Sequence, residues 1–399
     1  NSSGFDPSLF HDEDNKKYWL NMIWDHRPGK HPFYGIAMQE YDLPSGSLIG
    51  NREIIFKGSS LGLTEGPHIY RRNGYYYLLT AEGGTEYDHA VSLARSRDIF
   101  GPYEIHPNNP ILTSSGNPEL KLQKAGHASL VETPQGEWYM PHLCGRPLPD
   151  SKNCNLGRET AIQKVEWHQD NWLYLAGGEN QPKMEVPAPN LKPHPWPALA
   201  DRLPFDSPHY ATPRGPSSSV MPEPNSLTLH GAESLESNFE QAMLARRLTS
   251  QNLTATTKIS FKPENFQQMA GLAAYYNTYH FHYLYLSMDE EKGLCLQIHS
   301  CDDGKSNFPL GGEIIPVSNN ELFLRASFND KRLQFYYSHC GQDFLKIGPV
   351  LDASILSDDH GEHWGFTGTF VALACQDLTG KKLPATFEFL ELCNNQKPG

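Results

Sequence analysis

The sequence lacks the marks of several protein classes. It has no run of about 18 apolar residues, so no transmembrane helix is predicted. No signal peptide is read before Phe5, and a cytoplasmic location is the expectation. No CxxC pair and no zinc-type Cys/His spacing occurs. The seven cysteines (Cys144, Cys154, Cys295, Cys301, Cys340, Cys375 and Cys393) are odd in number and scattered, which favours free thiols in a reducing compartment over a disulfide framework. A serine nucleophile elbow, a phosphate-cradling glycine loop and HExxH are all missing. Basic charge is outweighed, 33 Lys and Arg against 46 Asp and Glu, for a net charge of −13. That balance argues against nucleic acid or an anionic membrane as partner and suits a neutral ligand such as a sugar. Helical periodicity is scarce. There is no initial Met: the chain opens NSSGFDPSLF, already strand-like, and reads as a fragment, a processed chain or part of a longer one.

What is present is repetition. DPSLFHDEDNKKYWLNMIWDH starts at Asp6, EGPHIYRRNGYYYLLTAEGG at Glu65 and HASLVETPQGEWYMPHLCG at His127. Each opens on an ionisable residue, then gives a short apolar strand, a polar turn and an aromatic-rich strand. The starts are 59 and 62 residues apart. A period near sixty built of strand and turn predicts four-stranded β-propeller blades. The innermost strand of each blade lines the axis, so the three opening residues are expected to converge.

The domains follow from composition. Residues 1–180 read as a partial β-propeller of about three blades. Residues 181–216 contain ten prolines, which rules out a regular helix or central strand and predicts an ordered linker. Residues 217–399 show period-two segments such as LTATTKISFKP and FTGTFVALACQDL, and predict an antiparallel β-sandwich. NFEQAMLARRL (238–248) fits a short helix or a loop and strand equally well. The predicted class is all-β.

Several residues are candidates for chemistry. Glu65, before Gly-Pro, and Asp6, one repeat earlier, would be neighbouring carboxylates, and proximity raises one pKa as a general acid requires. The plainer alternative is that acids at strand starts cap turns. His127 holds the third place, as a substrate contact, a metal ligand or a hydrogen-bonded core histidine. Arg158 could hold nearby acids ionised, or pair with Glu159 at the surface. Thr85, after a Gly pair, could bond a sugar hydroxyl or shape a turn. The loop WDHRPGKHPFYG could be solvated or could give a sugar platform. Trp364, Phe366 and Phe370 could simply pack in the second domain.

Taken together, GFDPSLF, WDHRPGKHPFYGI, LTEGPHIYRRNGYYYLLTAEGGT, KAGHASLV, GRETAIQKVEW and WGFTGTFVALACQDL resemble the β-xylosidases of glycoside hydrolase family 43, through essentially the whole chain. The resemblance implies a five-bladed propeller followed by a β-sandwich whose loop reaches over the active-site mouth. It implies an inverting, exo-acting enzyme that removes terminal β-D-xylose from xylo-oligosaccharides, with side activity on α-L-arabinofuranosides. By the same resemblance Glu65 is the general acid and Asp6 the carboxylate that tunes and orients it. His127 and Arg158 match pocket residues, Phe5, Trp24 and Thr85 match residues lining the sugar, and Phe366 or Phe370 belongs to the sandwich loop. No cofactor is expected, although some relatives hold a divalent cation such as calcium near the position of His127. Tetramers are common in the family. The family's general base lies in an NADPS-like segment that this sequence does not contain, and two blades are missing from the count. The chain is therefore expected to be incomplete. The alternatives are a non-catalytic sugar-binding remnant and a structural propeller.

Overall fold

The computed structural model describes residues 4–395. The chain divides into two compact units. One runs to Arg146 and resumes over Glu159–His194; the other comprises Pro147–Arg158 and the chain from Pro195 onward.

The first unit holds three antiparallel sheets, one per repeat. Strands β1 (Phe5–His11), β2 (Lys17–Trp24), β3 (Phe33–Asp42) and β4 (Ser47–Phe56) pair in chain order. So do β5 (Glu65–Arg72), β6 (Tyr75–Glu82), β7 (Ala90–Ser96) and β8 (Glu104–Ile105), with β9 (Leu112–Thr113) also on β7. The third sheet contains β10 (Gln123–Ala128), β11 (Val131–Glu132), β12 (Trp138–Gly145), β13 (Glu159–Trp167) and β14 (Leu173–Leu175). Its order is β10-β12-β13-β14, with β11 against β12. These are the propeller-like blades that the repeat predicts.

Local sequence explains the hairpins. The β5–β6 turn is Asn73-Gly74, and both residues have positive φ, 49° and 73°. That pair is the preferred two-residue hairpin turn, because its twist matches the strands. Strand alternation then sorts the side chains. On β6, Tyr77 and Leu79 join one core with Val91, Leu93, Ala125, Met140 and Leu173. Leu78, between them, joins the opposite core with Leu20, Met22, Ile36 and Ile69. A strand with an apolar residue on each face is buried on both sides, as the middle of a stack of blades must be.

The second unit is a two-layer sandwich. Its strands are β15 (Tyr210–Ala211), β16 (Val220–Glu223), β17 (Ser226–His230), β18 (Ala242–Arg247), β19 (Asn252–Ser260), β20 (Gln268–Asn277), β21 (His280–Asp289), β22 (Gly293–Asp302), β23 (Lys305–Asn307), β24 (Ile315–Pro316), β25 (Glu321–Asn329), β26 (Arg332–Ser338), β27 (Leu345–Asp352), β28 (Phe370–Asp377) and β29 (Pro384–Asn394). One sheet runs β15-β18-β28-β20-β21-β22-β23, with β24 on β22; the other runs β16-β17-β29-β19-β25-β26-β27. Leu272, Leu284 and Leu373 from the first sheet pack between Ile259, Leu324, Phe335 and Phe387 from the second. The stretch that suited helix or strand is strand, β18, paired along its length with β28. Residues 181–209 carry no strand beyond a single bridge from Arg202 to Glu391, in keeping with their prolines.

A buried carboxylate braces the approach to β5. Glu82 is fully buried at the end of β6. It accepts hydrogen bonds from Ser59 N and Thr64 Oγ1, both at 2.7 Å, from Ser92 Oγ at 2.5 Å, and from Ser59 Oγ. Thr64 immediately precedes Glu65. Gly58, at φ 90°, leaves the room: a Cβ there would lie 2.0 Å from Thr64 Oγ1.

Two outcomes are expected. Glu82→Ala strands the buried hydroxyls of Thr64 and Ser92 and the half-buried one of Ser59, and should cost roughly 2–3 kcal/mol of unfolding free energy, read by urea titration. His106 is buried against the rings of Trp172 and Tyr174, each 4.8 Å away, and burial lowers its pKa from 6.5 to about 4. The unfolded chain therefore binds this proton at higher pH than the folded one. The contribution to stability is whole above pH 6.5 and is lost as pH falls toward 4. His106→Phe should show a smaller fall in urea midpoint between pH 7 and pH 5 than the parent; an equal fall would count against it.

Candidate active site

The opening residues of the three repeats meet at Gly66. Asp6 on β1 accepts a hydrogen bond from Gly66 N at 3.0 Å through Oδ2. Ser8, two residues on, donates to Pro67 O at 2.5 Å, so β1 is tied to the start of β5 twice. His127 on β10 reaches the same glycine: a Cβ on Gly66 would lie 2.7 Å from its Nε2 and 3.0 Å from its Cδ2 and Cε1. Asp6 (φ 52°), Gly66 (φ 57°) and His127 (φ 47°) all have left-handed backbones. For Asp and His that conformation costs free energy, and its presence at both residues that close on Gly66 marks a site where the fold imposes geometry. A bulge in the β5–β6 register falls between Glu65 and His68 and aims these residues off the regular pleat. Glu65, next to Gly66 in the chain, is half-buried.

Aromatic side chains flank Asp6. The ring of Phe5 lies 5.9 Å from that of Trp24 and 6.0 Å from that of Phe33, and Trp24 and Phe33 are 5.3 Å apart. Phe5 is 36% exposed, so the cluster has an open face. The polar loop between Trp24 and Phe33 is closed by Asp25 N donating to Pro32 O at 2.7 Å and by the Arg27–Asp25 ion pair. Thr85 follows Gly83 and Gly84 in the turn leaving β6, half-buried.

Reading the residues alone missed two members. His68, three residues beyond Glu65, is largely buried, and burial lowers its pKa, helped by His127 and opposed by Asp6. Its imidazole is therefore neutral at neutral pH and is electrostatically coupled to the other two. Glu82 was hidden because a carboxylate closing a buried strand just before a Gly pair carries no local sign of what it bonds. Its serine and threonine partners are 10 to 23 residues away.

Arg158, Phe366 and Phe370 lie in the second unit. The segment before Arg158 is held there in detail. Asn153 Nδ2 donates to Ser354 O at 3.1 Å, Cys154 N to Asp359 Oδ2 at 3.0 Å, and Thr369 N to Asn155 O at 2.8 Å. Leu156 is buried in the sandwich core, and Gly157 lies so close to Thr367 O that a Cβ would be 2.2 Å from it. Arg158 is thereby delivered with its guanidinium 4.7 Å from the ring of Phe366. Phe366 sits in the loop before β28, 55% exposed and at φ 50°, a strained backbone for a bulky residue. Phe370 is instead the first residue of β28, paired with Arg247 and Tyr275. Of the two phenylalanines, the loop residue is Phe366; Phe370 is committed to the sheet by its ladder hydrogen bonds.

Among the described residues, no set of three His, Cys, Asp or Glu donors lying close together includes His127. The seven cysteines are unbridged, and among the described residues no helix is long and apolar enough to cross a membrane.

Comparison with known proteins identifies the family. Residues 1–173 match the family model for glycosyl hydrolases family 43, and residues 201–392 match that for the β-xylosidase C-terminal concanavalin A-like domain. The chain is 45% identical to Xylosidase/arabinosidase 43B of Humicola insolens and 46% identical to the β-xylosidase of Bacillus subtilis. Both alignments cover 98% of the chain, and 74% and 76% of those proteins. The crystal structure of a xylan β-1,4-xylosidase from Bacillus halodurans superposes with a TM-score of 0.95 at 48% identity, over 98% of the chain and 77% of that structure. The chain thus spans about three-quarters of the length of these relatives. Agreement in sequence and fold over nearly all its residues means that the chain belongs to glycoside hydrolase family 43 and is a glycosidase.

Proposed function

We propose that the chain acts as an exo-β-xylosidase that releases terminal β-D-xylose from xylo-oligosaccharides with inversion, and takes α-L-arabinofuranosides as secondary substrates. The observation that carries this reading is the meeting of Asp6, Glu65 and His127 around Gly66. The names of the relatives, β-xylosidase and xylosidase/arabinosidase, agree with it.

In this reading Glu65 protonates the leaving glycosidic oxygen. Asp6 fixes the backbone beside Glu65 through Gly66 N, and its negative charge favours the protonated form of its neighbour. His127 and His68 supply imidazoles for sugar hydroxyls. The open face of the Phe5, Trp24 and Phe33 cluster gives the apolar side of a pyranose a surface to rest on. Thr85 is a further hydroxyl contact, and Arg158 and Phe366 are assigned to substrate binding with the sandwich loop. Phe370 is given no direct role. Inversion requires a second carboxylate about 6.5–9.5 Å from the first to activate water. Asp6 is not given that task, because it is bonded to the backbone of the acid's own strand; no residue named here is assigned to take the proton from water, so the reading gives this chain the acid half of the reaction. A sugar-binding chain without turnover is the alternative.

Glu65→Gln keeps the shape and removes the proton. Hydrolysis of an aryl β-D-xyloside should fall by about 10² to 10⁴-fold while xylobiose binding, measured by calorimetry, is kept. Unchanged turnover would remove Glu65 from the role of acid. Xylobiose binding without turnover by the parent chain would favour the binding reading. Gly66→Ala forces an L-residue into the left-handed region against His127. It should cost about 1–2 kcal/mol of stability and weaken xylobiose binding together; a stable variant with unaltered binding would contradict the geometry.

A further inference from the structure

The second unit contains a cluster of ionisable side chains that the proposed reaction does not use. His280 opens β21, Asp302 closes β22, Asp303 follows it, and His360 and His363 lie in the loop before β28. One ligand atom each from His280, Asp302 and His360 falls within 4.8 Å of the others. We propose that His280, Asp302 and His360 form a divalent transition-metal site of the zinc class, with Asp303 beside it, which fastens the loop carrying Phe366 to the ends of β21 and β22.

The buried histidine is set up as a ligand. Asn277 Nδ2 donates to His363 O at 2.8 Å, and Tyr279 N donates to Asn277 Oδ1 at 2.9 Å, so the amide orientation is fixed from both ends. Its Oδ1 faces His280 Nδ1 at 3.2 Å and can only accept. The proton therefore sits on Nδ1, and the lone pair is on Nε2. An amide oxygen on the far nitrogen is the usual way a protein orients a metal-binding imidazole. His280 Nε2 is completely buried and makes no hydrogen bond; Asp303 Oδ1 is 3.9 Å from it. A buried polar atom without a partner is costly, and here it points at carboxylates.

The space beside Nε2 is kept open by a glycine. A Cβ on Gly361, which has φ 67°, would lie 2.9 Å from His280 Nε2 and 2.6 Å from Asp303 Oδ1. Any other residue there would fill the cavity between the donors. The other two ligands sit near the surface and can adjust. His360 Nε2 and Asp302 Oδ1 are 2.7 Å apart, and that hydrogen bond would be exchanged for two bonds to the ion. Two imidazoles and a carboxylate suit zinc and its neighbours, whereas calcium and magnesium favour all-oxygen sets. The loop is already anchored on both sides of the site. Tyr276 OH receives Gly365 N at 2.7 Å and bonds Asp358, while the His363 ring stacks on Tyr279 at 3.7 Å. An ion would add a cross-link between these anchors and so set the position of Phe366.

The test is calorimetric titration of the metal-free chain with zinc chloride, supported by thermal unfolding with and without zinc. The parent should bind one zinc per chain that His127→Ala retains, and zinc should raise its Tm. His360→Ala and Asp302→Asn, both altered near the surface, should each weaken that binding at least tenfold and lose the rise in Tm. Gly361→Ala should do the same by filling the cavity. Zinc binding of parental affinity and stoichiometry in His360→Ala and Asp302→Asn would overturn the site, whichever other histidines are responsible. So would absence of zinc binding by the parent.

Discussion

The first unit depends on one crowded point, the α-carbon of Gly66. An aspartate from the preceding blade holds its amide, and a histidine from the following blade occupies the space a side chain would need. Three consecutive blades are therefore referenced to a single residue, and the carboxylate of Glu65 is carried on the adjacent backbone. The same device recurs one step on. A Cβ on Gly126 would lie 2.3 Å from the ring of His89, whose Nδ1 is 3.0 Å from Lys124 O. A histidine packed on a glycine of a neighbouring blade's inner strand allows close approach of the blades and gives the imidazole a fixed place. The left-handed backbones at Asp6, Gly66 and His127 are the strain that this close approach requires.

Support for that point comes from layers further out. Glu82 gathers Ser59, Thr64 and Ser92 beneath the strand that carries Glu65. The apolar residues alternating along β6 clamp the middle blade between two cores. In the second unit a comparable effort goes into one loop. The Asn153–Gly157 segment, Tyr276 and Asn277 all bond to residues 353–369, and Arg158 and Phe366 are displayed together as a result.

Much of this was legible in the sequence. The blades could be read because strand and turn recur near sixty residues, and Asn-Gly and Gly-rich turns punctuate them. The sandwich could be read from period-two alternation. Asp6, Glu65 and His127 stood out because they hold the same place in each repeat. Other features were not legible, for physical reasons. Glu82 and His68 are defined by partners far along the chain or across blades, and local pattern carries no trace of them. The grouping of Pro147–Arg158 with the second unit depends on side-chain hydrogen bonds from asparagines to a segment about 200 residues away. Phe366 and Phe370 are both aromatic and four residues apart, so only the strand pairing of Phe370 separates them. The β18 segment was ambiguous in the sequence because its charged and apolar residues suit either period.

The central claim is that the ends of three inner strands make one sugar site with Glu65 as its proton donor. The most direct measurement is a crystal structure of the Glu65→Gln variant with xylobiose. The account predicts the terminal xylose among residues 6, 65 and 127, with the glycosidic oxygen about 2.6–3.2 Å from the side chain at position 65. Xylobiose bound elsewhere on the chain, or bound there with its glycosidic oxygen beyond reach of residue 65, would contradict it.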